Sequence, residues 1–327
     1  MKPKILIARA IFPEIVERLS DYFEVQANPG DESWSPARLQ EHLRGKQGLF
    51  CTAGEAIGAD LIRACPELRV IANMAVGFNN IDLDAATRAG ILVTNTPELL
   101  NETTADFAWA LLMAAARRVG ESERWLRDGQ WQRWRYDAFL GADLHGATLG
   151  ILGMGRIGQA IARRSRGFDM QVLYHNRTPL PAELEAHANH ARYVARDDLL
   201  ARADHLVLVL PYSAATHHAI GAAELALMKP TATLVNIARG GIVDDAALIA
   251  ALRERRIAAA GLDVFENEPA FHPDFLALDN AVLTPHIGSA SAPTRHAMAA
   301  CAADNLIAAF SGKAPPNLLN PQASRRA

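Results

Sequence analysis

Thr148-Leu149-Gly150-Ile151-Leu152-Gly153-Met154-Gly155-Arg156-Ile157-Gly158 is the stretch that decides the fold. It begins as an apolar strand. Three glycines follow at once in the pattern Gly153-x-Gly155-x-x-Gly158, and Gln159-Ala160-Ile161-Ala162-Arg163 then reads as a helix. Each glycine has its own reason. The first permits a tight turn, the second lets the backbone approach a pyrophosphate, and the third lets helix and strand pack closely. The helix N-terminus then offers free N–H groups and a favourable dipole to an anion. Strand, glycine turn and helix together predict a dinucleotide site containing Gly153, Gly155, Arg156, Ile157 and Gly158.

The next strand refines the cofactor. NAD-selective sites place an acid about 20 residues on, against the ribose 2′-OH. Here the strand Gln171–His175 ends in Asn176-Arg177-Thr178, and Asn176 lies 18 residues past Gly158. A carboxylate would repel a 2′-phosphate, whereas a guanidinium can grip it with two N–H groups. Asn176, Arg177 and Thr178 therefore predict NADP(H) as the preferred cofactor, with NAD(H) possible. The competing reading makes Arg177 a solvated strand-end charge.

Working outward, the chain alternates short apolar runs with helical patterns. Before the glycine turn, strands are expected at Lys4–Ala8, Phe23–Gln26, Gly48–Cys51, Arg69–Asn73 and Ile91–Thr94. Helices are expected at Pro13–Tyr22, Pro36–Leu43 and Leu83–Ala89. One long helix, capped by Thr103 or Thr104, is expected from Glu102 to about Arg127. After the glycine turn, strands are expected at Gln171–His175, Tyr193–Val194, His205–Leu210, Ala232–Ile237, Ala259–Val264 and Ala281–Thr284. A last helix, Ala292–Phe310, precedes a Pro- and Asn-rich tail from Gly312 to Ala327 that is expected to lie on the surface. Near-continuous apolar strands alternating with helices predict an α/β protein with parallel sheets covered on both faces. The fingerprint sits mid-chain, and no strand follows the last helix. That helix is therefore expected to pack back on the front block. Two domains result: residues 1–99 with 289–327, and residues 100–288.

The bulk numbers exclude other classes. The 327 residues are half hydrophobic and 21% charged, with a net charge of −3, which gives no basic stripe for nucleic acid or a membrane surface. The longest uncharged apolar run, Phe107–Ala116, is about half of the ~20 residues a membrane span needs. The start of the chain makes a poor signal peptide. Three scattered cysteines suit a reducing cytoplasm better than a disulfide framework.

Three late segments each place polar residues just beyond a strand, where open α/β sheets bind ligands. They are Asn236-Ile237-Ala238-Arg239-Gly240-Gly241, Gly261-Leu262-Asp263-Val264-Phe265-Glu266-Asn267-Glu268-Pro269 and Thr284-Pro285-His286-Ile287-Gly288-Ser289. With Ala75-Val76-Gly77-Phe78-Asn79-Asn80-Ile81-Asp82, Asn95-Thr96-Pro97, Thr104-Ala105-Asp106 and the fingerprint, the chain resembles the D-2-hydroxyacid dehydrogenase family. Within it, the glyoxylate/hydroxypyruvate reductases and 2-ketogluconate reductases are most similar. The resemblance implies two doubly wound domains: a Rossmann-type cofactor domain, and a discontinuous, flavodoxin-like substrate domain. It also implies homodimers and a small 2-keto or 2-hydroxy acid as substrate.

The resemblance further implies that Arg239, Glu268 and His286 are catalytic, and the chemistry supports each role. Arg239 offers a planar, permanently charged fork to the substrate carboxylate. His286 can donate the proton that the ketone oxygen needs once hydride has reached carbon. Glu268 can hold the imidazole by one nitrogen and favour its protonated form. Taken singly, the same residues could be a turn charge, a loop carboxylate and a histidine satisfied under a loop.

Val76 and Gly77 match a substrate-carboxylate loop. Thr104, Leu210, Pro211, Ile237 and Asp263 match cofactor contacts, Asp263 toward the nicotinamide amide. The competing reading makes Asp263 a turn-forming residue after a buried strand. Trp131 or Trp134 matches an aromatic that can reach the partner's active site, or else packs in an interface or core. No metal site is expected. His217 and His218 cannot share a helical face, and His187 and His190 lack matching ligands. Two rivals stay open: an NAD-dependent dehydrogenase of other specificity, and a non-catalytic dinucleotide sensor.

Overall fold

The computed structural model describes residues 1–323. The chain divides into two compact units, Met1–Leu100 with the chain from Ser291 onward, and Asn101–Ala290.

The first unit is a parallel sheet of β1 (Lys4–Ile7), β2 (Glu24–Ala27), β3 (Gly48–Cys51), β4 (Val70–Asn73) and β5 (Leu92–Thr94), in the order β2-β1-β3-β4-β5. This is the doubly wound order of flavodoxin-like sheets. Every residue of β3 and β4 is buried, as strands covered on both faces must be. Helices α1 (Pro13–Tyr22), α2 (Pro36–Leu43), α3 (Ala59–Ala64) and α4 (Leu83–Arg88) connect the strands. Proline opens α1 and α2, where its missing N–H costs nothing, and Asp82 caps α4 by accepting from the Ala85 N–H at 2.8 Å.

The second unit begins with α5 (Asn101–Ala116) and α6 (Val119–Arg127). The single long helix expected here is two. Arg118 takes a left-handed conformation with φ 54° and breaks the path. Its guanidinium grips Glu121 at 2.7 Å, while the Ala142 N–H takes the Ala116 carbonyl at 2.9 Å. Thr103 and Thr104 lie inside α5, not at its cap, because the helix starts two residues before Thr103. The seven strands are β6 (Thr148–Leu152), β7 (Gln171–His175), β8 (Arg192–Tyr193), β9 (His205–Leu208), β10 (Thr233–Asn236), β11 (Ala259–Leu262) and β12 (Ala281–Leu283). They run parallel in the order β12-β11-β10-β9-β6-β7-β8, so the order reverses at β6. That is the Rossmann arrangement, with its ligand crevice at the β6/β9 switch point.

Helices α7 (Arg156–Arg164), α8 (Ala182–His187), α9 (Arg196–Arg202), α10 (Ala222–Leu227) and α11 (Asp245–Arg253) complete the unit. Two cores sandwich the sheet, as the two-residue period of a strand requires. Leu149, Ile151, Val207 and Val235 face one core, and Leu152, Leu206, Leu208 and Leu234 face the other. A Cβ on Gly261 of β11 would stand 3.2 Å from the Leu111 backbone, so glycine there lets α5 lie close on the sheet.

The chain then returns to the first unit as α12 (Ala292–Phe310). The tail beyond it is exposed at residues 312–314, as expected of a surface tail, and then packs along the sheet edge. Leu318 pairs antiparallel with Thr94, and the Leu319 N–H donates to the Val93 carbonyl at 2.8 Å. Asn320 is 1% exposed. Its side chain accepts from the Val93 N–H at 2.9 Å and donates to the Ile91 carbonyl at 2.8 Å and Thr87 Oγ1 at 3.0 Å. The exposed edge of β5 needs partners for its backbone polar groups, and the asparagine-rich tail supplies them. The part of the expected surface tail from Ser324 to Ala327 lies outside the described residues. No helix among those described is long and apolar enough to cross a membrane.

Removing the Asn320 amide strands two buried groups, the Val93 N–H and the Ile91 carbonyl. Asn320→Ala should therefore destabilise the fold by about 2–4 kcal/mol, read as a lower urea midpoint. An unchanged midpoint would show that the tail contributes nothing to the sheet.

Candidate active site

The glycine turn has the shape a dinucleotide needs. Gly153 has φ 103°, and a Cβ there would press on the Val209 carbonyl at 2.7 Å. A Cβ on Gly158 would meet the Gly153 carbonyl at 2.5 Å, whereas one on Gly155 would meet nothing within 4 Å. The turn is thus closed toward the protein at its ends and open at its centre. Gly155 caps α7, with Arg156 and Ile157 in its first turn. Asn176 does not simply face outward: its Oδ1 accepts the Met154 N–H at 2.7 Å and braces the turn. Arg177 and Thr178, next along, are exposed. Leu210 and Pro211 follow β9, and Ile237 follows β10 and is buried.

Arg239, Glu268 and His286 converge from the loops after β10, β11 and β12. Asn236, at the end of β10 and 2% exposed, shapes the first loop: its Oδ1 accepts the Ala238 N–H at 3.1 Å and its Nδ2 donates to the Arg239 carbonyl at 3.4 Å. A Cβ on Gly240 would overlap the Phe265 carbonyl, so glycine there lets the first two loops touch. Burial pulls the Arg239 guanidinium down from its ordinary value, while the nearby Glu268 charge opposes that. An arginine guanidinium is not deprotonated in proteins, so Arg239 stays charged.

Glu268 is fixed at both oxygens. Its Oε1 accepts the Phe265 N–H at 2.8 Å, and its Oε2 lies 2.7 Å from His286 Nδ1. Burial alone would raise its pKa. The His286 hydrogen bond and charge, the Phe265 N–H and Arg239 outweigh burial and hold the carboxylate below its usual range. With Nδ1 turned to Glu268, the imidazole has Nε2 for other chemistry.

His286 itself stands in the left-handed region, φ 54°. Asp263 maintains that turn. Its Oδ1 accepts from the Thr284 hydroxyl at 2.7 Å and the Ile287 N–H at 2.8 Å, and its Oδ2 from the Gly288 N–H at 2.8 Å. Asp263 is 2% exposed, and burial raises its carboxyl despite these donors. Both oxygens are thus engaged in the turn. Thr104 is buried in α5, and its methyl would lie 3.7 Å from a Cβ on Gly288.

Val76 and Gly77 belong to the first unit, in the loop after β4. Asn95 and Asn73 hold their carbonyls at 2.9 Å each. Trp131 and Trp134 are 59% and 77% exposed, which excludes packing in a core of this chain. His217 and His218 lie in a turn, not a helix. Their rings stack at 3.9 Å, and His218 Nε2 lies 2.5 Å from Glu266 Oε1. Only the histidine pair itself could have drawn notice in the sequence, since Glu266 is 48 residues away.

Comparison with known proteins identifies this architecture. The NAD-binding domain of D-isomer specific 2-hydroxyacid dehydrogenases matches residues 109–288. The chain belongs to this family of oxidoreductases. It is 48% identical to a glyoxylate reductase of Thermococcus onnurineus, over 98% of this chain and 96% of that one. With a Pyrococcus furiosus glyoxylate reductase it shares 46% identity, over the same shares of each chain. Among solved structures, the NADPH-dependent glyoxylate/hydroxypyruvate reductase of Sinorhizobium meliloti, in complex with NADP and malonate, superimposes with a TM-score of 0.86. That pair is 36% identical, covering 99% of this chain and 98% of the other.

Proposed function

We propose that the protein reduces small 2-keto acids to D-2-hydroxy acids with NADPH. The observation that carries this is the pairing of His286 Nδ1 with Glu268 Oε2 at 2.7 Å, beside the partly buried Arg239, in the domain that holds the glycine turn. Arg239 holds the substrate carboxylate. The bound nicotinamide supplies the hydride. His286 donates a proton from Nε2 to the ketone oxygen, and Glu268 steadies the imidazolium beforehand and the neutral ring afterwards. Glyoxylate leads the substrate class, because the curated relatives are glyoxylate reductases. Hydroxypyruvate and 2-ketogluconate follow.

The open Gly155, the α7 N-terminus and the exposed Arg177 and Thr178 fit a dinucleotide carrying a 2′-phosphate. Asn176, busy with the Met154 N–H, contributes neutrality more than contact. Thr104, Leu210, Pro211 and Ile237 would line the cofactor. Asp263 would act there through the turn it holds.

Val119, Leu126, Trp131, Trp134, Tyr136 and Leu140 are all at least half exposed and fall on α6 and the loop after it. Such a surface suits a second copy of this chain, with Trp131 or Trp134 turned to the partner's site. Sedimentation at micromolar concentration should give a dimer; a monomer would overturn this part.

The function is tested by oxidation of NADPH and NADH on a panel of 2-keto acids, for wild type and Arg177→Ala. Turnover of glyoxylate with an NADPH preference that Arg177→Ala weakens is expected. Tight cofactor binding without turnover of any acid would point to a sensor. An unchanged preference in Arg177→Ala would end the 2′-phosphate assignment.

A further inference from the structure

We propose that His218 is a positioning residue for the Glu268–His286 pair and acts through Glu266. The inference rests on that pair being the catalytic acid system.

His218 touches both loops that deliver the proposed machinery. Its backbone N–H donates to the Gly241 carbonyl at 2.7 Å, two residues beyond Arg239. The pairing continues outward: the Ile220 N–H donates to the Ile242 carbonyl at 3.1 Å, and the Asp244 N–H to the Ile220 carbonyl at 2.9 Å. The side chain reaches the other loop, with Nε2 2.5 Å from Glu266 Oε1. Glu266 is also held from behind, its N–H donating to Asp245 Oδ2 at 3.1 Å. Asn267 then turns the chain through φ 60°, and Glu268 folds back onto the Phe265 N–H. Glu266 is therefore the fixed post from which the short Glu268 turn swings. His217 stacks on His218 and meets the Tyr212 hydroxyl at 3.2 Å, which steadies the ring from the loop that follows β9.

Magnitudes decide what the contact is for. The His218 and Glu266 side chains are 37% and 29% exposed, where an ion pair adds little to stability. A small displacement of an acid–base pair, by contrast, can cost up to ~10² in rate. The charged neighbours are Asp244, whose Oδ2 lies 3.9 Å from His218 Nδ1, and Asp245. Burial pushes the Asp245 carboxyl up to about 6, with Glu266 and Asp244 adding to the rise and the Glu266 N–H and His272 opposing it. Asp245 is thus still largely charged at neutral pH, and its oxygen remains a firm acceptor for the Glu266 N–H.

The test compares His218→Ala, His218→Gln and Glu268→Gln with wild type, using glyoxylate and NADPH. His218→Ala should lower kcat about tenfold or more. NADPH affinity by fluorescence titration and the thermal midpoint should stay at wild-type values. The alkaline fall of the reduction rate should move to lower pH, because a loosened Glu268 supports the protonated imidazole less. His218→Gln, whose amide can still donate to Glu266, should recover most of kcat. Wild-type kcat and pH profile in His218→Ala would overturn the proposal. So would a loss that tracks a lowered thermal midpoint or weakened cofactor binding, since that marks a structural role alone. Glu268→Gln separates the two levels. Wild-type turnover there would remove the catalytic assignment itself, whereas an impaired Glu268→Gln beside an intact His218→Ala would remove only the role of His218.

Discussion

A single buried carboxylate holds the candidate site in shape. Asp263 collects the Thr284 hydroxyl and the Ile287 and Gly288 N–H groups, closing the turn on which His286 stands. A charge buried to this degree is costly unless its oxygens are satisfied. Three donors from one turn meet that need, and the turn in exchange has one conformation. That conformation puts His286 into the left-handed region, which an isolated histidine seldom adopts. The strain sits at the residue proposed as proton donor, and the Asp263 bonds oppose it.

The sheet explains why distant residues meet. All seven strands of the second unit run parallel, so the loops after β6, β9, β10, β11 and β12 emerge at one edge. Glycine lets them approach. Gly153 and Gly158 close the cofactor turn, and Gly240 lets the Arg239 loop touch the Phe265 backbone. The electrostatics follow from that closeness. Glu268 lies under the influence of His286 and Arg239, which keep it ionised although burial works the other way. An ionised Glu268 favours a protonated imidazole, the form a ketone reduction consumes.

Much of this was legible in the residues alone. Pro13–Tyr22, Pro36–Leu43 and Ala292–Phe310 carry proline at the start of a helical pattern, and the structure keeps those bounds. The parallel sheets were visible because strands buried on both faces must be apolar throughout. The segments holding Arg239, Glu268 and His286 stood out because each follows such a strand, while the roles proposed for these residues came from the family resemblance. What escaped depends on contacts between residues far apart in sequence. The break at Arg118 needs Glu121 and the Ala116–Ala142 pairing, and the helical pattern runs through it undisturbed. Asn320 reads as tail composition until the unpaired edge of β5 is known. The His218–Glu266 contact escaped because Glu266 arrives from another strand's loop.

The central claim is that His286, oriented by Glu268, protonates the ketone oxygen. Single-turnover stopped-flow oxidation of bound NADPH by saturating glyoxylate, in wild type and His286→Gln, addresses it most directly. A rate lower by roughly 10²–10⁴ in the variant is expected for loss of a general acid, with the affinity for NADPH unchanged. A variant that turns over at the wild-type rate would contradict the account.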